Sequence, residues 1–124
     1  MKTAIIILSD PKSGGDEALG RLFNGLAAAY DFKQKGDDVT VLFQGAGTRW
    51  ASYLTNETHP AHQLYTAVAD RIAGVSCGCA DVFGAHDDAV KSGFDLIKGN
   101  SVPGTSGLPS LQKLVAGGHQ VMIF

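Results

Sequence analysis

The chain alternates short apolar runs with amphipathic stretches along its 124 residues, and this alternation most narrows the folds open to it. Thr3 to Leu8 is a nearly continuous, β-branched run, the pattern of a strand buried on both faces. From about Asp16, apolar residues at 18, 19, 22, 23, 26, 27 and 30 draw one helical stripe. Lys33 and Lys35 fall in its last turn and Gly36 stops it. Val39 to Phe43 reads as a second strand, and Gly45 to Thr48 turns into a short helix carrying Trp50, Tyr53 and Leu54. After the break at Asn56 to Pro60, Leu64, Tyr65, Val68 and Ile72 share a helix face that closes at Gly74. Val75 to Cys79 is expected as the third strand, Ala80 to Ser92 as one helix, and Phe94 to Ile97 as the fourth strand. A polar loop from Lys98 to Leu108 leads to a helix with Pro109 as its first residue. Gln120 to Phe124 is the fifth strand.

Strands alternating with helices predict a single domain over 1–124, an α/β/α arrangement of three layers around a five-stranded, mainly parallel sheet. Lys+Arg of 10 against Asp+Glu of 12 gives a net charge of −2, so no basic surplus points to nucleic acid or an anionic membrane. A 44% hydrophobic and 18% charged composition excludes disorder and coiled coil. The apolar stretch Ala4 to Leu8 is too short to span a bilayer or to serve as a signal-peptide core. A cytoplasmic protein is therefore expected, without nucleic-acid or membrane partners.

In parallel sheets, ligands bind beyond the carboxyl ends of the strands. Three segments are expected there: Ser9–Gly15, Gln44–Thr48 and the stretch starting at Cys79. Cys77 and Cys79 are the only cysteines, and a bridge across one residue would be strained. Cys79 would end strand three, before a helix opened by Ala80 and Asp81, where helix N–H groups stabilise a thiolate. Cys77 would share its strand face, deeper in the sheet, as a secondary thiol. The competing reading makes both of them small buried apolar residues.

A metal site would have to recruit Cys77, Cys79 and His86 with His59 or His62. Cys-x-Cys without a second tight pair is a poor zinc signature, so no metal is expected. The histidines read as structural or solvated, with His86 in mid-helix. No nucleophile elbow, phosphate loop or dinucleotide fingerprint is present, and no cofactor is expected. Ser9, Lys12 and Ser13, with Gly45, Gly47, Thr48, Trp50, Ala80 and Asp81, could line a cleft for a small anion. Trp50 is expected partly buried, as one wall of that cleft near Cys79.

Three groups of residues carry a family resemblance. They are Ile7-Leu8-Ser9-Asp10-Pro11, the segment Phe43 to Trp50, and Gly74-Val75 with Cys79-Ala80-Asp81-Val82-Phe83-Gly84. The ending, Leu108 to Leu111 through Gly118 to Met122, is similar too. Together they resemble the DsrE/DsrF/TusD-like proteins, above all the small stand-alone DsrE-family members. The resemblance implies strand order 4-3-2-1-5 and assembly into trimers or hexamers. It also implies a cysteine after strand three, matched by Cys79, that carries sulfur as a persulfide. Cys77 has no clear counterpart, since relatives place a second cysteine where this chain has Ser76.

Two functions follow. One is a sulfur carrier or sulfurtransferase-like subunit, with Cys79 taking sulfane sulfur from a donor protein and passing it to an acceptor. The alternative is a non-catalytic, oligomeric binding module for a small anion or nucleotide, with Cys79 buried. A dithiol redox protein is less favoured, because the cysteines lack Cys-x-x-Cys spacing.

Overall fold

The apolar runs pair into one sheet, seen in a computed structural model that describes all 124 residues. Strands β1 (Lys2–Ile7), β2 (Asp38–Phe43), β3 (Ile72–Ser76), β4 (Leu96–Ile97) and β5 (Gln120–Ile123) lie in the order β4-β3-β2-β1-β5. Every pairing is parallel. The six helices are α1 (Gly15–Gln34), α2 (Trp50–Leu54), α3 (His62–Val68), α4 (Cys77–Val82), α5 (His86–Lys91) and α6 (Leu111–Ala116). The result is the three-layer α/β/α fold, with the strand order that the family resemblance implied.

Alternation along the strands divides the core. Ile5, Ile7, Val39, Val41, Phe43 and Val75 pack with Leu22, Leu26 and Ala29 of α1 and with Val68 of α3. Full burial of Leu22 or Leu26 is worth about 1.5–3 kcal/mol each, so α1 is held by its stripe rather than by propensity. Ala4, Ile6 and Leu42 are buried on the opposite face. There α6 stands over Thr40, Leu42 and Ala73, above a groove of about 680 Å³. No helix is long and apolar enough to cross a membrane.

The largest departure from expectation lies between residues 68 and 80. The helix stops at Val68, a 3₁₀ turn follows over Ala69–Arg71, and β3 begins at Ile72 rather than Val75. Ile72 pairs with Val41 and Gly74 with Leu42, the register shifting between them. Gly74 is thus a strand residue, not a helix stop, and β3 ends at Ser76. Both cysteines therefore belong to α4 and neither lies in the sheet. Ser76 caps α4, its Oγ accepting from the Cys79 N–H at 3.3 Å.

The stretch expected as one helix after Cys79 is broken. Gly84 adopts φ 68°, a left-handed conformation, and His86 becomes the first residue of α5 instead of a mid-helix residue. Strand β4 is shorter than expected, because Phe94 turns into the core against Phe43 and Tyr65. Ser110, not Pro109, opens α6, accepting from the Lys113 N–H at 3.2 Å.

Candidate functional site

The carboxyl edge of the sheet gathers the loop after β1, the 3₁₀ turn Gly45–Arg49 after β2, and α4 after β3. The loop after β1 is organised by Asp10. Its carboxylate accepts from the Lys12 backbone N–H at 2.9 Å and the Ser13 hydroxyl at 2.5 Å, closing a local turn. Arg49 reaches across at 3.1 Å to the same carboxylate. Its Nε donates to the Phe83 carbonyl at 3.1 Å, and its guanidinium lies 5.6 Å from the Phe83 ring centre. Arg49 therefore ties the first loop to the end of α4. Beside it, Lys12, Tyr53, Gly84 and Asp88 line an open cleft of about 260 Å³.

The Ser13 hydroxyl bond, the Lys12 N–H and the Arg49 guanidinium together hold the Asp10 carboxyl below its ordinary value, outweighing partial desolvation. A group depressed in this way adds stability above its unfolded value and loses it as pH falls through its folded value. Asp10→Asn is expected to lower the urea midpoint at pH 7. The deficit should begin to narrow as pH falls below about 3.9, where the unfolded carboxyl protonates, and should close only at lower pH, where the depressed native carboxyl protonates too. A deficit independent of pH would show that the charge contributes nothing.

The residues expected to line an anion cleft differ widely in burial. Ser9, Gly47, Thr48, Trp50 and Ala80 are buried, Gly45 is half-buried, and only Lys12, Ser13 and Asp81 are exposed. Trp50 is 2% exposed, so it lies beneath the cleft rather than forming its wall. Its indole N–H donates to the Ser9 carbonyl at 2.8 Å, and the Thr48 hydroxyl donates to the Gly45 carbonyl at 2.8 Å. These polar groups serve the loops themselves, and a carboxylate occupies their centre. Two buried side-chain oxygens have no partner, Thr3 Oγ1 in β1 and, at this edge, Gln44 Oε1 just after β2.

The two thiols differ sharply. They stand two residues apart on a helix, a spacing that turns side chains away from each other, so no shared strand face exists. Cys79 is half-buried, whereas Cys77 is buried. α4 is only six residues long and Ser76 already takes the Cys79 N–H, so the expected helix-end support for a thiolate is much reduced. Cys77 instead meets the 98–108 loop, 3.1 Å from the Ser106 hydroxyl. Ser106 also lies 2.6 Å from Asp81 Oδ2, and His86 Nδ1 lies 2.8 Å from Asp81 Oδ1. Ser106 and His86 hold the exposed Asp81 carboxyl below its ordinary value.

The sequence reading did not place Ser106, Asp10 or Arg49 in a site, and it weighed His86 as a metal ligand beside Cys77 and Cys79 but set that aside. Asp10-Pro11-Lys12-Ser13 carries a local turn signal, and Cys77 and Asp81 stand at i,i+4 once α4 starts at Cys77. Ser106 arrives from 29 residues away in sequence with no local signal.

No family model and no solved structure matches this chain. It is similar to an uncharacterized protein of Methanocaldococcus jannaschii, 28% identical over 104 residues, or 82% of this chain and 78% of that protein.

Proposed function

We propose that the protein is a sulfur carrier, a sulfurtransferase-like subunit of the DsrE kind, which holds sulfane sulfur as a persulfide on Cys79. The observation that carries this reading is that Cys79 is only half-buried at the carboxyl edge of the parallel sheet, while Cys77 is enclosed. Transfer needs an accessible thiolate and a sulfane donor. The Cys79 thiolate attacks the terminal sulfur of a donor persulfide, the new S–S bond forms, and the donor leaves as its own thiolate. The reverse attack by an acceptor thiolate discharges it. Donor and acceptor are proteins that present a cysteine to this edge. Treatment of the reduced protein with a small persulfide should add about 32 Da, mapping to the Cys79 peptide. An unmodified protein under conditions that load a free model thiol contradicts the reading.

A binding module for a small anion or nucleotide is the second reading, and the open cleft carrying Lys12 and Arg49 is the feature that favours it.

The carrier is expected to be a closed homo-oligomer, a trimer or hexamer, with Met122 and Ile123 exposed on the edge strand β5 as an apolar contact. Sedimentation at micromolar concentration should show a species at least threefold heavier than 12.9 kDa. A single monomer peak would rule this assembly out.

A further inference from the structure

Three unlike donor groups converge at the start of α4, and Cys79 is not among them. The Cys77 thiol, the Asp81 carboxylate and the His86 imidazole place one ligand atom each within 4.8 Å of one another. From Cys77 and Asp81, at i,i+4, two donors share one face of α4. The left-handed Gly84 then reverses the chain so that His86 returns to Asp81. Ser106 Oγ sits between two of these donors, 3.1 Å from Cys77 Sγ and 2.6 Å from Asp81 Oδ2.

We propose that Cys77, Asp81 and His86 form a binding site for a zinc-type divalent cation. Thiolate and imidazole exclude calcium and magnesium, which take oxygen donors, and select a borderline-soft ion. Tetrahedral closure about one zinc ion sets the donor atoms roughly 3.3–3.6 Å apart. The Asp81 and His86 side chains are 45% and 42% exposed, so both are free to make the remaining rotation. Cys77 is held in place by burial, which fixes one corner of the site. On binding, the Cys77 thiol gives its proton to solvent and forms the metal–sulfur bond. His86 exchanges its hydrogen bond to Asp81 for a ring nitrogen on the metal. The fourth position falls to the Ser106 hydroxyl or to a water. Asp81 and His86 also line an open depression of about 430 Å³ with Asp87, Asp88 and Lys91, a lining with more acidic than basic side chains. This site stands apart from the sulfur-carrier reading, since its thiol is the other cysteine.

The test titrates the reduced, full-length protein with cobalt(II) and then zinc under oxygen-free conditions. One cobalt per chain should bind, giving thiolate-to-cobalt charge-transfer absorption and tetrahedral d–d bands that zinc abolishes. Cys77→Ser should remove the charge-transfer band, and His86→Gln should weaken binding at least tenfold. Cys79→Ser should bind as the wild type does. Because His86 is a surface residue, its variant decides the question even where a Cys77 variant folds poorly. Loss of the signal in Cys79→Ser, unchanged affinity in His86→Gln, or no cobalt–thiolate band in the wild type would each overturn the proposal.

Discussion

Cys79→Ser is expected to abolish persulfide loading, cutting sulfur uptake about 100-fold or more, because a hydroxyl at neutral pH is no nucleophile toward sulfane sulfur. The substitution should leave the fold intact. Cys79 is half-buried, and it is its backbone N–H, not its thiol, that bonds to Ser76. Cys77→Ser is expected to keep most of the uptake, since the enclosed thiol meets Ser106 and has poor access to a donor. It should cost modest stability, because a serine hydroxyl in its place can still pair with Ser106. Peptide mapping of the loaded wild type separates the cases. Sulfur found on Cys77 would move the carrier function to the enclosed thiol, and sulfur on neither would leave the binding module as the better reading.

The architecture was legible because it rests on burial, which a sequence writes plainly. The β-branched run of β1 and the stripe of α1 fall within a residue or two of expectation. Their periods differ, and each is long enough to show its own. The segment from Tyr65 to Cys79 was not legible. Leu64, Tyr65, Val68 and Ile72 fit a helical period, yet Ile72 is taken by pairing with Val41, a contact between residues far apart in sequence. That shift of three residues moved both cysteines from strand to helix and hid the i,i+4 relation of Cys77 and Asp81. The partner Ser106 comes from a loop with no periodicity at all. Cys79 was singled out as the end of strand three, a placement that the structure moves into α4, and the Cys77–Asp81–His86 cluster needed the third dimension.

Gly74→Ala is expected to destabilise the protein by at least about 3 kcal/mol, a large share of the roughly 5–15 kcal/mol that holds a domain together. Two effects add at this residue. Its φ of 148° is one that side-chain-bearing residues rarely adopt, costing about 1–3 kcal/mol. A Cβ there would lie 2.9 Å from the Asp95 carbonyl carbon and nearer still to its oxygen, which is backbone and has no rotamer to retreat into. That same Asp95 oxygen accepts from the Val75 N–H at 2.9 Å, just before the pairs Val75–Leu96 and Ser76–Ile97 that make up the whole of β4. Pushing Asp95 outward therefore strains the only pairing that holds the sheet's edge, and with it the 98–108 loop that brings Ser106 to Cys77. Gly20→Ala provides the contrast. It lies within α1 with open space around it, and alanine there should stabilise by about 0.5–1 kcal/mol through helix propensity. Urea unfolding of the two variants should move in opposite directions. A Gly74→Ala midpoint equal to that of the wild type would mean that Asp95 yields freely, and that the edge of the sheet is not what positions the loop over Cys77.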